Sequence, residues 1–206
     1  PKVLVDMAFR RIKEMPREKV ATDLYAFMSN KEWLIRRLAS ATILAMSKVE
    51  HIEEFLTKLG AVADKSNFNM VEARTYGAYI ADLTDGDPVA KITPFLKAGP
   101  VSSRLSALGY YMAVGTKKDL AAVEPYAKDE QPVAKCEETA GCNWQCFVGE
   151  GKKAVKKDVK TVGDFVTYCV KPAMMTNKPA EKKAEKKAAT NGSKEKKDQK
   201  GDKNDK

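Results

Sequence analysis

Residues 72–99 read EARTYGAYIADLTDGDPVAKITPFLKAG. A basic residue, Arg74, is followed by two small ones, Gly77 and Ala78. Then come an acidic turn, Asp87-Pro88, and a second apolar stretch holding Ile92, Phe95 and Leu96. Aspartate before proline supplies a helix cap and then fills the one helical position where a missing N–H costs nothing. The stretch therefore predicts two helices of about ten to fifteen residues joined by a short turn.

The same order of features recurs on either side. Residues 35–60 read IRRLASATILAMSKVEHIEEFLTKLG, residues 102–129 read SSRLSALGYYMAVGTKKDLAAVEPYAKD, and residues 133–146 read VAKCEETAGCNWQC. Aligned, they place a basic residue at Arg37, Arg74, Arg104 and Lys135, separated by 37, 30 and 31 positions. Small residues follow each: Ala39 and Ala41, Gly77 and Ala78, Ala107 and Gly109, Ala140 and Gly141. Three units run on into a second apolar stretch, at Ile52/Phe55/Leu56, Ile92/Phe95/Leu96 and Leu120/Val123/Tyr126. Residues 2–28, with Val20, Leu24, Phe27 and Met28, fit as a degraded first unit. A period near thirty is the mark of a stacked architecture in which no helix pair buries its apolar face alone. Small residues at fixed positions let neighbouring helices approach closely.

The basic–small–small first helix and the capped second helix ending PFLKAG or PYAKD resemble HEAT-type helical repeats, including the short bacterial variety of phycobilisome-lyase-like proteins. The resemblance spans about residues 2–147 and departs from the 30–31 spacing around AVADKSNF. It implies an all-α fold, an α-solenoid of about four to five stacked helix pairs. It says little about activity, since that family holds scaffolds, adaptors, lyases and DNA-repair enzymes.

Further start signals agree with helices throughout 1–175. Ser29-x-x-Glu32, Ser47-x-x-Glu50 and Asn69-x-x-Glu72 each set a capping oxygen three residues before a glutamate that reaches back, and Thr116-x-x-Asp119 repeats the device with aspartate. Gly60, Gly99 and Gly115 read as stops. The expected organisation is a helical repeat domain over 1–175 and a tail over 176–206. From residue 177 on there is no aromatic, Val, Ile, Leu or Met, so the tail lacks the apolar surface that offsets ordering and is expected to be disordered.

Charge separates the same two parts. Residues 1–150 carry 20 basic and 20 acidic residues, whereas 151–206 carry 17 lysines and 8 acids, so the whole net charge of +9 lies in the last quarter. A neutral folded part does not predict specific nucleic-acid binding. The tail has neither arginine nor aromatics, which leaves only weak, salt-sensitive attraction to anionic surfaces. No run of 18 apolar residues predicts a transmembrane helix.

The four cysteines follow C-x5-C-x3-C-x22-C: Cys136, Cys142, Cys146 and Cys169. Zinc sites use paired short spacings, and redox centres use C-x-x-C beside a sheet; neither pattern is present. Two readings remain, reduced buried thiols or a covalent staple. We adopt the staple, because Cys169 shares a helical face with Val159, Val162, Phe165 and Val166. Residues 133–147, read as a helix with Val133, Cys136, Ala140, Trp144 and Phe147 on its core stripe, bring Cys142 and Cys146 round to meet it. Cys169 is expected to pair with Cys146 or Cys142, which favours a periplasmic or other extracytoplasmic setting over the cytoplasm.

Other chemistry is sparse. His51, the sole histidine, has no nucleophile motif around it and reads as a solvated or packing residue. Asp82, Asp85 and Asp87 lack the spacing of a calcium loop and read as a turn with a cap. The arginines at repeat positions could line a phosphate-binding face, but bonds to the preceding turn suit their placement better. The expectation is a chain that is not an enzyme, holds no cofactor and no metal, and binds another protein along one face. The candidate contact residues are Trp33, Arg37, Arg74, Tyr79, Arg104, Tyr110 and Tyr111. Nucleic-acid binding through the repeat arginines is the alternative, and a lyase or chaperone for a bound chromophore is a third class.

Overall fold

The computed structural model describes residues 2–63, 68–133, 144–149 and 153–178. They are mostly helical. Helices α1 (Lys2–Ile12), α2 (Arg17–Phe27), α3 (Trp33–Ala45), α4 (Ile52–Ala63), α5 (Met70–Ala81), α6 (Pro88–Lys97), α7 (Val101–Val114) and the short α8 (Leu120–Val123) follow one another. Two strands, β1 (Gln145–Val148) and β2 (Val155–Asp158), then pair antiparallel with Gln145 opposite Asp158 and Val148 opposite Val155. A last helical run comprises α9 (Val162–Phe165), a π-helical turn Val166–Val170 and α10 (Lys171–Thr176). Pro172 has no N–H to offer the carbonyl four residues back and crowds it, which accounts for the widened turn just before it.

Local chemistry sets most of the boundaries. Asn69 Oδ1 accepts from Glu72 N at 3.0 Å while Glu72 Oε2 accepts from Asn69 N at 3.1 Å, opening α5. Asp87 accepts from Val89 N to open α6, and Thr116 and Asp119 close a reciprocal cap ahead of α8. Two expected boxes are corrected. Ser29 donates back to the Ala26 carbonyl at the end of α2, and Ser47 to that of Ile43, so both finish helices rather than start them. The cap before α4 is His51, whose Nδ1 accepts from Lys48 N at 2.9 Å. Asp85 accepts from Val49 N, tying the turn before α6 to the turn that leads into α4. Gly60 lies inside α4 and stops nothing.

The helices pack side by side along the chain. α3 lies on α5, α5 on α7 and α4 on α6, while α1 and α2 both pack on α3. The tightest seam is α5 on α7, at Gly77 and Gly109. A Cβ on Gly77 would overlap the Gly109 carbonyl carbon and the Tyr110 nitrogen, and one on Gly109 would overlap the Ala73 carbonyl oxygen. The two backbones touch there because neither glycine has a side chain. The core around the seam is continuous, from Leu24 and Ile43 through Phe55, Tyr76 and Leu108 to Phe165 and Met174.

The last unit departs from expectation. Residues 145–148 are a strand, and Phe147 is 69% exposed, so the proposed helical stripe over 133–147 is wrong at that end. Trp144 is nevertheless buried, and it joins an aromatic run from Phe68 (6.5 Å) to Phe165 (6.5 Å) that docks the terminal helix on the preceding helices. Val162, Phe165, Val166 and Cys169 are buried, as their shared helical face implies; Val159 is buried as well but is corrected from that helix to the extended chain after β2, where its N–H donates to the Trp144 carbonyl. Helix α10 runs through Thr176, and the Asn177 amide donates to the Met112 and Gly115 carbonyls at 3.1 and 3.0 Å, satisfying the end of α7. Helix α10 thus ends beside the expected boundary at 175, and residues 179–206, most of the expected tail, lie outside the described residues. Among the described residues no helix is long and apolar enough to cross a membrane.

Candidate interaction groove

The repeated arginines divide into two kinds. Arg36 is 3% exposed, and its guanidinium meets the 1% exposed Glu72 with Nε to Oε1 at 3.2 Å and Nη2 to Oε2 at 3.3 Å. Its Nη1 donates to the Asn30 and Lys31 carbonyls just before α3. Glu72 also accepts from the Tyr76 hydroxyl at 3.1 Å. Burial, reinforced by the Glu72 charge, pushes the Tyr76 hydroxyl well above its ordinary range and keeps it a donor.

Arg104 is equally buried and gives Nε and Nη2 to the Leu96 carbonyl at 3.1 and 2.9 Å, capping α6. It also bonds Asp129 and Gln131. Burial acts to raise the Asp129 carboxyl, but the bonds from Arg104 and from the Gln131 backbone outweigh it and hold the group below the usual range. Arg104 is therefore no contact residue: its donors are consumed inside the protein. The position equivalent to it is Arg36, not Arg37. Arg37 instead stacks 5.2 Å over the exposed ring of Trp33 on α3.

Arg74 is different. It stands exposed on α5 and makes no ion pair or hydrogen bond among the described residues. Two adjoining depressions of about 580 and 550 Å³ share it, together with Met112 of α7 and Ala173 of α10. One runs along the outside of the α5–α7 seam, where the side chains of Ala78 and Ala113 are small enough to leave a channel. The other runs between α10 and β1, with Phe147, Tyr168 and Met175 at its margin. Val71 (50%), Phe147 and Met175 (50%) turn large apolar surface to water around it. Among the described residues lining the two depressions, Arg74 is the one ionised side chain.

The wall at β1 is covalently tethered. Cys146 of β1 and Cys169 of the π-helical turn form a disulfide with their Cα atoms 5.6 Å apart, and both line the groove. Closing a loop of 23 residues stabilises by about 3 kcal/mol in the chain-entropy account. Cys136 and Cys142, candidates for the same staple, lie outside the described residues.

The remaining candidates scatter. Tyr111 is buried, with its edge to Tyr110 at 5.4 Å, so it is corrected to a core residue. Tyr110 and Tyr79 are half-buried against the core, away from the groove lining. Asp85 and Asp87 act as caps, and among the described residues no group of His, Cys, Asp and Glu is placed to hold a metal. Of the residues lining the groove, the sequence offered Arg74 as a contact candidate and did not offer Val71, Met112, Phe147 or Met175. Each comes from a different element, and only the packing brings them together. No protein-family model matches the chain, and neither a curated protein nor a solved structure does.

Proposed function

We propose that the chain is a non-enzymatic protein-interaction scaffold or adaptor of HEAT-like repeats, and that it holds a partner protein in the groove around Arg74. The observation that carries this reading is an arginine with no protein partner among the described residues, set in a channel whose other described lining residues are uncharged and include the exposed Val71, Phe147 and Met175. A contiguous exposed apolar patch of this kind is characteristic of contact surfaces. The side-by-side packing of α3, α5 and α7, with α4 against α6 behind them, supports the repeat reading. The disulfide supports an oxidising setting, periplasmic or otherwise extracytoplasmic. Nucleic-acid binding by repeat arginines is disfavoured, because Arg36 and Arg104 are spent on protein groups.

Site-specific photo-crosslinking in the native host tests this. A photoreactive residue at Met175 or Val71 is expected to give a discrete protein adduct that weakens at least about tenfold when Arg74→Glu is added. The same probe at exposed Lys118, outside the groove, is expected to give none. Equal adducts at groove and control positions contradict the reading.

A further inference from the structure

Resting on that reading, we infer that the groove takes an extended segment of the partner, which adds as a strand to the open edge of β1 and sets an internal acidic side chain on Arg74. The edge follows from the pairing alternation. Val159 N donates to the Trp144 carbonyl at 2.8 Å, and the register that sets Gln145 opposite Asp158 sets Trp144 opposite Val159. Hydrogen-bonded pairs alternate along an antiparallel ladder, so they are Trp144/Val159, Cys146/Lys157 and Val148/Val155. The N–H and C=O groups of Gln145 and Phe147 therefore point away from β2.

On the other side of the ribbon, pairing is confined to the chain just past β2. Val133 N donates to the Lys160 carbonyl and Pro132 bridges Thr161, which places 131–133 on the far edge of the chain leaving β2. Among the described residues the ribbon has two open edges, at Gln145 and Phe147 on β1 and at Lys156 and Asp158 on β2, but only the β1 edge lines the groove. An unpaired edge is a template for an added strand, with the backbone giving affinity and the flanking pockets giving specificity.

Arg74 sets the chemistry of the occupant. Among the described lining residues it is the one cation and the rest are uncharged, which suits one carboxylate rather than a phosphate dianion that calls for more donors. The depressions continue on both sides of it, one toward β1 and one along α5–α7, so the segment passes over Arg74 rather than ending there. That geometry assigns the carboxylate to an internal Asp or Glu and not to a chain terminus.

The test uses the full disulfide-bonded chain and a phage-displayed library of random linear peptides about twelve residues long, with the best binder then synthesised. Enriched sequences are expected to carry Asp or Glu flanked by apolar residues at alternate positions. Binding of that peptide is expected to slow amide exchange at Gln145 and Phe147 by at least about tenfold while leaving Cys146 and Val148 at their existing protection. Affinity is expected to fall at least about tenfold on Arg74→Gln, on replacing the peptide acid by its amide, and on Phe147→Pro. The last variant removes an outward N–H without touching a bond to β2, and Phe147→Ala separates loss of the ring from loss of the N–H.

The inference is overturned by failure to enrich any peptide, by binders that keep full affinity for Arg74→Gln, or by peptides that dock without slowing Gln145 and Phe147. If any of these coincides with groove-specific crosslinking, strand addition fails and the contact surface stands. If the crosslinking itself shows no preference for the groove, the functional reading fails with it.

Discussion

Gly77→Leu is expected to cost more than about 4 kcal/mol, read as a drop in the urea midpoint at unchanged m-value. The reason is the identity of the atoms in the way. A Cβ at Gly77 meets the backbone of Gly109 and Tyr110, which cannot yield by changing a rotamer. The leucine therefore has to push α5 away from α7, which opens the packing around Ala73, Leu105 and Leu108, all fully buried. Gly77→Ala already carries the offending atom and is expected to lose about half as much. Gly99 supplies the contrast. Its φ of 120° favours glycine, but nothing lies within 4 Å of an added Cβ, so Gly99→Ala is expected to cost about 1 kcal/mol from backbone strain alone. Equal costs at the two positions would mean that the seam is not in backbone contact.

The second large effect is expected at Glu72. Glu72→Leu strips Arg36 of its carboxylate while leaving the guanidinium buried, and breaking a buried pair from one side costs about 3–5 kcal/mol. The same change removes the acceptor for Tyr76 and half of the cap at Asn69. Arg36→Met in the same chain removes the orphaned charge, so the double variant is expected to recover more than half of the loss. Recovery stays incomplete because Arg36 also satisfies the Asn30 and Lys31 carbonyls. Urea denaturation of the two single variants and the double variant gives the coupling directly. Additive losses would show that Arg36 and Glu72 do not depend on each other.

Much of the helical part was legible because its causes are local. The Asn69–Glu72 and Asp87–Pro88 caps are written in adjacent residues, and the small residues at Gly77 and Gly109 mark the seam where α5 and α7 touch. The arginine register was off by one. Arg36 and Arg37 are neighbours some 100° apart around a helix, and only the position of Glu72 on another helix decides which of them turns inward. Strand β1 was missed because four residues show too few alternations to compete with a helical stripe that happened to fit residues 133–147. The groove was the least legible part. Val71, Met112, Phe147 and Met175 share no spacing, and the gap between them exists only because the terminal helix docks where it does.

The groove owes one of its walls to a single bond between a strand and the terminal helix. Chymotryptic mapping under non-reducing conditions tests that bond, on protein unfolded in urea with any free thiols blocked beforehand. Cleavage after Trp144, Phe147 and Tyr168 frees Gln145–Phe147 and a peptide beginning at Cys169. The two peptides are expected to be recovered joined, and to separate on reduction. Recovery of Gln145–Phe147 carrying a blocked thiol, or joined to a cysteine other than Cys169, would contradict the tether.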